Sequence, residues 1–310
     1  MKKLTGLAAL CLALVLGACS KEAEQAPAGA GKTAAAATTV YTTNYPVYYF
    51  AKRLAGEAAS IEFPAPADED PAYWDPSEEI IAAYQAADLI LLNGADFEKW
   101  VAKATLPESR VVDTSSAAAP QYIEIQDAMV HSHGPEGQHA HAGFDFNTWL
   151  DTDIAVQQVD AIAAALAGKL PNEATAIQER AAALKEDLKK IDLGLTEISG
   201  RIADKPLIAS HPVYNYLARR YQWNLKSLHW EPGEMPEEAE WSALQELLKT
   251  HAARFVIWEG DPNPAIAARL KTLGLEPVVF YPLANVPSSG DYLAAMQENL
   301  ARLAAASMLP

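Results

Sequence analysis

The chain has 310 residues, 40 acidic against 24 basic, and a formal net charge of −16. A surface so acidic disfavours nucleic acid as a partner and favours cations. The two cysteines are Cys11 and Cys19. With Cys11 in a leader that is removed, the remaining chain holds no disulfide, no thiolate metal site and no catalytic cysteine.

Lys2 and Lys3 precede an uncharged apolar run, Leu4 to Leu16, too short for a stable bilayer-spanning helix and ending in small residues as a secretory signal does. Leu16-Gly17-Ala18-Cys19 resembles the bacterial lipobox, in which the cysteine is lipidated and becomes the new N-terminus. The expectation is a signal peptide over 1–18 and a lipid anchor on Cys19. Residues 20 to 37 are Ala, Gly, Lys, Glu and Pro without an apolar period, so 19–37 reads as a flexible tether. About 270 residues follow, enough for two medium domains.

That body alternates short β-rich runs with amphipathic stretches. Thr39–Thr43 reads as a strand. Pro46 opens a helix and Gly56 closes it, and Ile61–Phe63 is the next strand. Ser77 caps a helix with Ile80 and Ile81 on its inner face. Asp88–Leu92 is a buried strand, and Val111-Val112 a short one. A second series runs Pro206–Ala209 (strand), 213–220 (helix), Asn224–Leu228 (strand), 237–250 (helix), Arg254–Trp258 (strand), 264–273 (helix), Pro277–Phe280 (strand) and a last helix near 290–306. Alternation of this kind predicts parallel sheets covered on both faces. Between the series, Ile177, Ala181, Leu184, Leu188, Ile191, Leu195, Ile198 and Ile202 step by fours and threes. With Asn172 as N-cap they predict one helix of about 30 residues spanning roughly 45 Å, weakened slightly at its far end by Gly194 and Gly200. The fold class is α/β: an N-terminal lobe over 38–168, a rigid connecting helix over 169–203, a C-terminal lobe over 204–310, and a ligand cleft between the lobes.

Ligands of open parallel sheets sit beyond the carboxyl ends of the strands, which selects the loops at 68–76, 210–212, 258–261 and 281–282. His211 ends a buried strand there, and imidazole is a good ligand for zinc and similar metals. His131, His133, His139 and His141 lie within eleven residues beside glycines and a proline, a composition suited to labile metal capture by a flexible loop. His229 reads as a surface residue, and His251 as structural at a helix C-terminus. No GxSxG elbow, P-loop or GxGxxG motif is present, and no carboxylate pair stands out as acid and base. The expectation is a non-enzymatic protein.

From Thr39 onward the chain resembles the substrate-binding lipoproteins of zinc and manganese ABC transporters, the cluster A-I metal receptors. The resemblance is carried by Thr42-Thr43-Asn44-Tyr45-Pro46, by Glu69-Asp70-Pro71-Ala72-Tyr73-Trp74-Asp75-Pro76, by Phe144 to Thr152, by Ser210-His211-Pro212 with Tyr216 to Tyr221, and by Phe255–Glu259 and Phe280–Leu283. It implies two lobes joined by one long helix, metal in the interlobe cleft, an ABC permease in the cytoplasmic membrane as partner, a monomer, and a place in the bacterial cell envelope facing the periplasm or exterior. Of the family's usual ligands only His211 is kept. Ala72 and Asn147 stand where histidines are usual, and Tyr281 where a carboxylate is usual. Three readings stay open. His211 is joined by Asp68, Glu69, Asp70, Glu259 or a histidine of the 131–141 segment, holding zinc, manganese, copper or iron. Alternatively the cleft, lined by Ala72, Trp74, Asn147, Trp149 and Tyr281, takes a metal complex or a non-metal small ligand. In the last, the protein is a metallochaperone or metal buffer working through the histidine segment.

Overall fold

The computed structural model describes residues 38–125, 130–132, 138–140, 143–202 and 204–308. The chain divides into two units, Met1–Ala36 and Ala37–Pro310, and every element below belongs to the second. The expected signal peptide, tether and Cys19 anchor lie outside the described residues.

The N-terminal lobe begins with β1 (Thr38–Thr42), α1 (Tyr45–Ala55) and β2 (Ala59–Glu62). Asn44 accepts from the Val47 N–H at 3.0 Å to cap α1, Pro46 sits in its first turn, and Gly56 ends it at φ +57°, returning its N–H to Lys52 O. Next come α2 (Glu78–Ala86), capped by Ser77, then β3 (Leu89–Leu92) and β4 (Val111–Asp113). These strands form one parallel sheet in the order β2-β1-β3-β4. β3 is buried on both faces. Leu89 and Leu91 enter the main core, while Ile90 faces a smaller cluster with Tyr84 and Trp100.

Two short antiparallel pairs follow: β5 (Glu124–Ile125) with β8 (Gly143–Phe144), and β6 (Val130–Ser132) with β7 (Gln138–Ala140), where His131 stands opposite His139 in the backbone register. Within the segment expected to be a flexible loop, residues 130–132 and 138–140 thus pair as strands. His133 and His141 lie outside the described residues.

Helix α3 (Thr152–Lys169) was not anticipated from the sequence. Asp151 caps it through the Asp153 N–H at 3.0 Å, and Ile154, Gln158, Val159, Ile162 and Leu166 form its buried stripe. A turn at Pro171–Glu173 takes the place of the expected Asn172 cap, and α4 (Ala174–Ile202) then runs for 29 residues, about 44 Å. Its entire predicted apolar stripe is buried. Gly194 has a packing role: a Cβ there would stand 3.0 Å from Leu300 Cδ1 of the last helix, so glycine permits the close approach.

The C-terminal lobe repeats the first pattern with β9 (Pro206–Ala209), α5 (Asn215–Tyr221), β10 (Asn224–Ser227), α6 (Glu238–Thr250), β11 (Phe255–Trp258), α7 (Pro264–Thr272), β12 (Glu276–Val279) and α8 (Tyr292–Ser307). Its sheet is parallel in the order β10-β9-β11-β12, the same order as the first. Observed boundaries lie within a residue or two of the predicted ones. Leu207, Ala209, Phe255 and Ile257 point into the main core, whereas Ile208, Val256 and Trp258 pack outward on Trp241, Leu244, Ile266 and Leu270. The main core is one continuous cluster reaching from Val40 and Leu91 through the stripe of α4 to Ile257 and Phe280, so both sheets share the layer of helices α1, α3, α4 and α8.

At the strand-order reversal of the first sheet, between β1 and β3, the opening is filled by Glu98. Its carboxylate accepts from Thr43 Oγ1 and Asn93 N, both at 2.5 Å, and from Gly94 N at 3.4 Å. Burial outweighs these bonds and pushes the carboxyl up to about 7. A folded-state value above the unfolded one means that the folded protein holds this proton more tightly. The associated stability is complete below about pH 4.5 and is lost as the pH rises through about 7, a cost of about 3 kcal/mol if the whole shift is expressed. Glu98→Gln should flatten that fall, measured as urea unfolding free energies between pH 5 and 8.

Candidate metal centre

In the second sheet the same reversal lies between β9 and β11, and there the carboxyl ends carry side chains of a different kind. Ser210-His211 leaves β9, Glu259 leaves β11, and Leu228-His229-Trp230-Glu231 continues from β10. The three segments are tied to one another by backbone bonds, Ser210 N to Ile257 O, Leu228 N to Ala209 O and Trp230 N to Ser210 O, each 2.8 Å. Sheet pairing therefore extends past the strands and fixes where each side chain starts.

His211 is 7 % exposed, and its Nε2 lies 3.5 Å from Glu231 Oε1. One donor atom each from His211, Glu231 and Glu259 falls within 4.8 Å of the others, the one such group among the described residues. An imidazole with two carboxylates is a donor set that zinc and neighbouring divalent ions accept. Donor atoms around a tetrahedral zinc at about 2.0–2.2 Å stand about 3.5 Å apart, so side-chain rotation of about an ångström completes the geometry.

Burial pushes the Glu259 carboxyl up to about 8, with the negative charges of Glu231 and Asp70 adding to the effect. Asp70 belongs to the N-terminal lobe. Its Oδ1 accepts from Ala72 N at 2.9 Å, and its carbonyl accepts from Tyr73 N at 3.0 Å and Trp74 N at 2.9 Å, making a tight turn. Tyr73 follows with its ring edge-on to Phe146. Its hydroxyl is held protonated by burial and by the charges of Asp70, Glu231, Asp145 and Glu259. The turn from the first lobe thus faces the three-residue cluster of the second. Beside Glu231 a cavity of about 110 Å³ opens, lined also by His229, Glu234, Met235 and Glu240.

The other residues singled out in the sequence have different surroundings. Ala72 is fully buried in the main core. Asn147 folds its amide back, donating from Nδ2 to Asp145 Oδ1 at 3.0 Å with its backbone N–H at 2.9 Å to the same atom. Asn215 Nδ2 holds the other Asp145 oxygen at 3.0 Å, and burial raises that carboxyl to about 6. Tyr281 donates to Asp261 Oδ2 at 2.8 Å beneath the Arg302 guanidinium. Trp74 is half-buried. Trp149 is buried and donates from Nε1 to Pro282 O at 2.7 Å. Asp68 and Glu69 are exposed. His229 is not a surface residue: it is half-buried, its ring edge-on to His211 at 6.0 Å. His251 is buried, with Nε2 2.8 Å from Leu207 O.

Glu231 was missed in the sequence. It lies four residues beyond β10 in an irregular segment, and its neighbours Trp230 and Pro232 carry no ligand spacing. The signal that would have found it is topological: β10 is the other neighbour of β9, so the segment following it returns to the same sheet end as His211.

Comparison with known proteins gives this arrangement its family. Residues 40–306 match the family described as ZnuA, the zinc-uptake complex component A, periplasmic. The zinc-binding lipoprotein AdcA of Streptococcus pneumoniae is 29 % identical over 316 residues, covering 98 % of this chain and 60 % of the relative. The chain thus spans about three-fifths of the length of that relative. The high-affinity zinc uptake system protein ZnuA of Bacillus subtilis is 25 % identical over 272 residues, covering 84 % of this chain and 85 % of its own. Among solved structures, the Zn(II)-bound ZnuA-like domain of S. pneumoniae AdcA superposes with a TM-score of 0.72 at 23 % identity, over 88 % of this chain and 99 % of that one, a likeness of fold. With the match running from β1 to the last helix, the chain belongs to the ZnuA family of periplasmic zinc-uptake components.

Proposed function

We propose that this protein is the substrate-binding component of a metal-ion ABC transporter, and that it captures a zinc-type divalent cation with His211, Glu231 and Glu259. The observation that carries the reading is the convergence of those three donors at the strand-order reversal of the second sheet. Asp70 is the carboxylate by which the first lobe joins the site, bringing the donors to four, the number a closed zinc site uses. In this reading the donors that the family usually draws from the positions of Ala72, Asn147 and Tyr281 are replaced by acidic residues at other positions: Asp70, two residues before Ala72, and Glu231 and Glu259 of the second lobe. The printed names of the AdcA and ZnuA relatives, zinc-binding lipoprotein and zinc uptake protein, support zinc as the cargo.

The wider assignment follows the same logic. Cys19 is the lipid attachment point after removal of 1–18, and 19–37 is the tether that holds the receptor at the cell envelope. Lobes over 38–168 and 204–310, joined by the helical segment 169–203, dock as a monomer on a membrane permease and deliver the cation without catalytic turnover. A connecting helix of 29 residues, packed along its length into a core shared by both lobes, permits small closing movements rather than a wide hinge. The histidines at 131, 133, 139 and 141 act as a low-affinity collector feeding the centre.

Protein purified without an affinity tag should bind one high-affinity equivalent of zinc by titration calorimetry. Loss of an outer-sphere partner typically costs 10–100-fold in metal affinity, so loss of a ligand in His211→Ala or Glu259→Gln should weaken binding by about 100-fold or more. Undiminished binding in His211→Ala would refute the assignment. Two controls should leave the affinity within about twofold, since neither removes a donor: deletion of 131–141, and Tyr281→Phe, which breaks only the bond to Asp261.

A further inference from the structure

Beyond β12 the chain runs through Pro282, Leu283, Ala284 and Asn285, and three of these four residues take hold of the N-terminal lobe. Pro282 O accepts from Trp149 Nε1 at 2.7 Å. Ala284 O accepts from the Tyr45 backbone N–H, at the start of α1, at 2.9 Å. Asn285 Nδ2 donates to two carbonyls, Pro66 O at 2.6 Å and Glu69 O at 2.8 Å. The remaining residue, Leu283, is buried and held at φ +66°, a conformation uncommon for a side chain of this kind and retained only where the surroundings enforce it. The segment is a strap drawn tight between the lobes.

The Asn285 amide is fully used and its orientation is unambiguous. Oδ1 accepts from Val286 N at 2.7 Å, so the two Nδ2 hydrogens face the two carbonyls. Those carbonyls bracket the turn that ends in Asp70. Pro66 O also accepts from Glu69 N at 3.3 Å, and Asp70 O from Tyr73 N and Trp74 N. One side chain of the second lobe thus holds both ends of a short loop whose next residues, Asp70 and Tyr73, stand in the electrostatic field of Glu231 and Glu259.

We infer that Asn285 is a positioning residue for the cation site: it latches the Pro66–Tyr73 loop over His211, Glu231 and Glu259 and so slows escape of the bound ion, without itself touching it. The consequence for retention rests on the cation-receptor reading above; the latch itself does not.

Asn285→Asp keeps the shape and replaces the two donors with an acceptor facing two carbonyls. Loss of the two hydrogen bonds should raise the zinc dissociation rate on the order of tenfold, read by stopped-flow with a chelator in excess, with the association rate unchanged. In an Asp70→Ala background the same substitution should add nothing, since the latch acts through that loop. Asn285→Ala, which introduces no charge, should behave in the same way. Independently of metal, hydrogen exchange at the amides of Glu69, Ala72, Tyr73 and Trp74 should quicken in both variants. Unchanged exchange together with unchanged release would overturn the latch, as would an equal acceleration with and without Asp70. Quickened exchange in a protein that takes up no zinc would uphold the latch and refute the receptor reading.

Discussion

The Ser210 backbone is bonded on both sides, its N–H to Ile257 O and its carbonyl to Trp230 N, each at 2.8 Å. This ties together the chain leaving β9, the chain leaving β11 and the chain returning from β10, one residue before His211. Sheet register then determines the rest. With Leu207 and Ala209 pointing into the main core and Ile208 pointing outward, the next residues leave the sheet at its carboxyl edge, beyond which α5 packs on one face and α7 on the other. The donor side chains depend on a rigid backbone frame rather than on a loop finding its own conformation, and such a frame gives a metal site its precision.

The two lobes use one topology for two purposes. Each sheet has the strand order 2-1-3-4, and each leaves an opening between its first and third strands. In the N-terminal lobe that opening is filled from within. The Glu98 carboxylate sits on the N–H groups of Asn93 and Gly94, while Asn44, Asn93, Thr114 and Gln158 complete a buried polar network around it. In the C-terminal lobe the equivalent opening is lined by His211, Glu231 and Glu259 beside a cavity. A carboxylate satisfied by backbone donors makes a closed structural plug. Carboxylates facing one another across an imidazole make a place for positive charge.

Electrostatics links the lobes at this point. Asp70 and Tyr73 come from the first lobe, Glu231 and Glu259 from the second, and Asp145 from the segment that leads into α3. Like charges this close raise one another's proton affinity, and a divalent cation is the counter-charge that draws such a set together. The net charge of −16 therefore has a local expression, since part of the acidic excess is concentrated where the lobes meet. α4 and the shared core bridge the two sheets behind this meeting point.

Much of the fold was legible in local sequence. The eight strands of the two parallel sheets, the long apolar stripe of α4 and the Pro46 and Ser77 starts of two helices follow from periodicity, capping and turn chemistry, all of which act over a few residues. Helix α3 escaped because alanines dilute its stripe and a buried Gln158 interrupts it, although Ile154, Ile162 and Leu166 keep a helical spacing. The centre was legible only in part. His211 and Glu259 follow buried strands directly, so their positions could be read from the strands alone. Glu231, four residues beyond its strand, the inward turn of His229, the commitment of Tyr281 to Asp261 and the reach of Asn285 across the lobes depend on which strands become neighbours. Strand order is set by the packing of both sheets on a common helical layer. The sequence by itself therefore determined the elements and the strand-end residues, while the tertiary structure alone decided which loops share one sheet edge and hence which side chains meet.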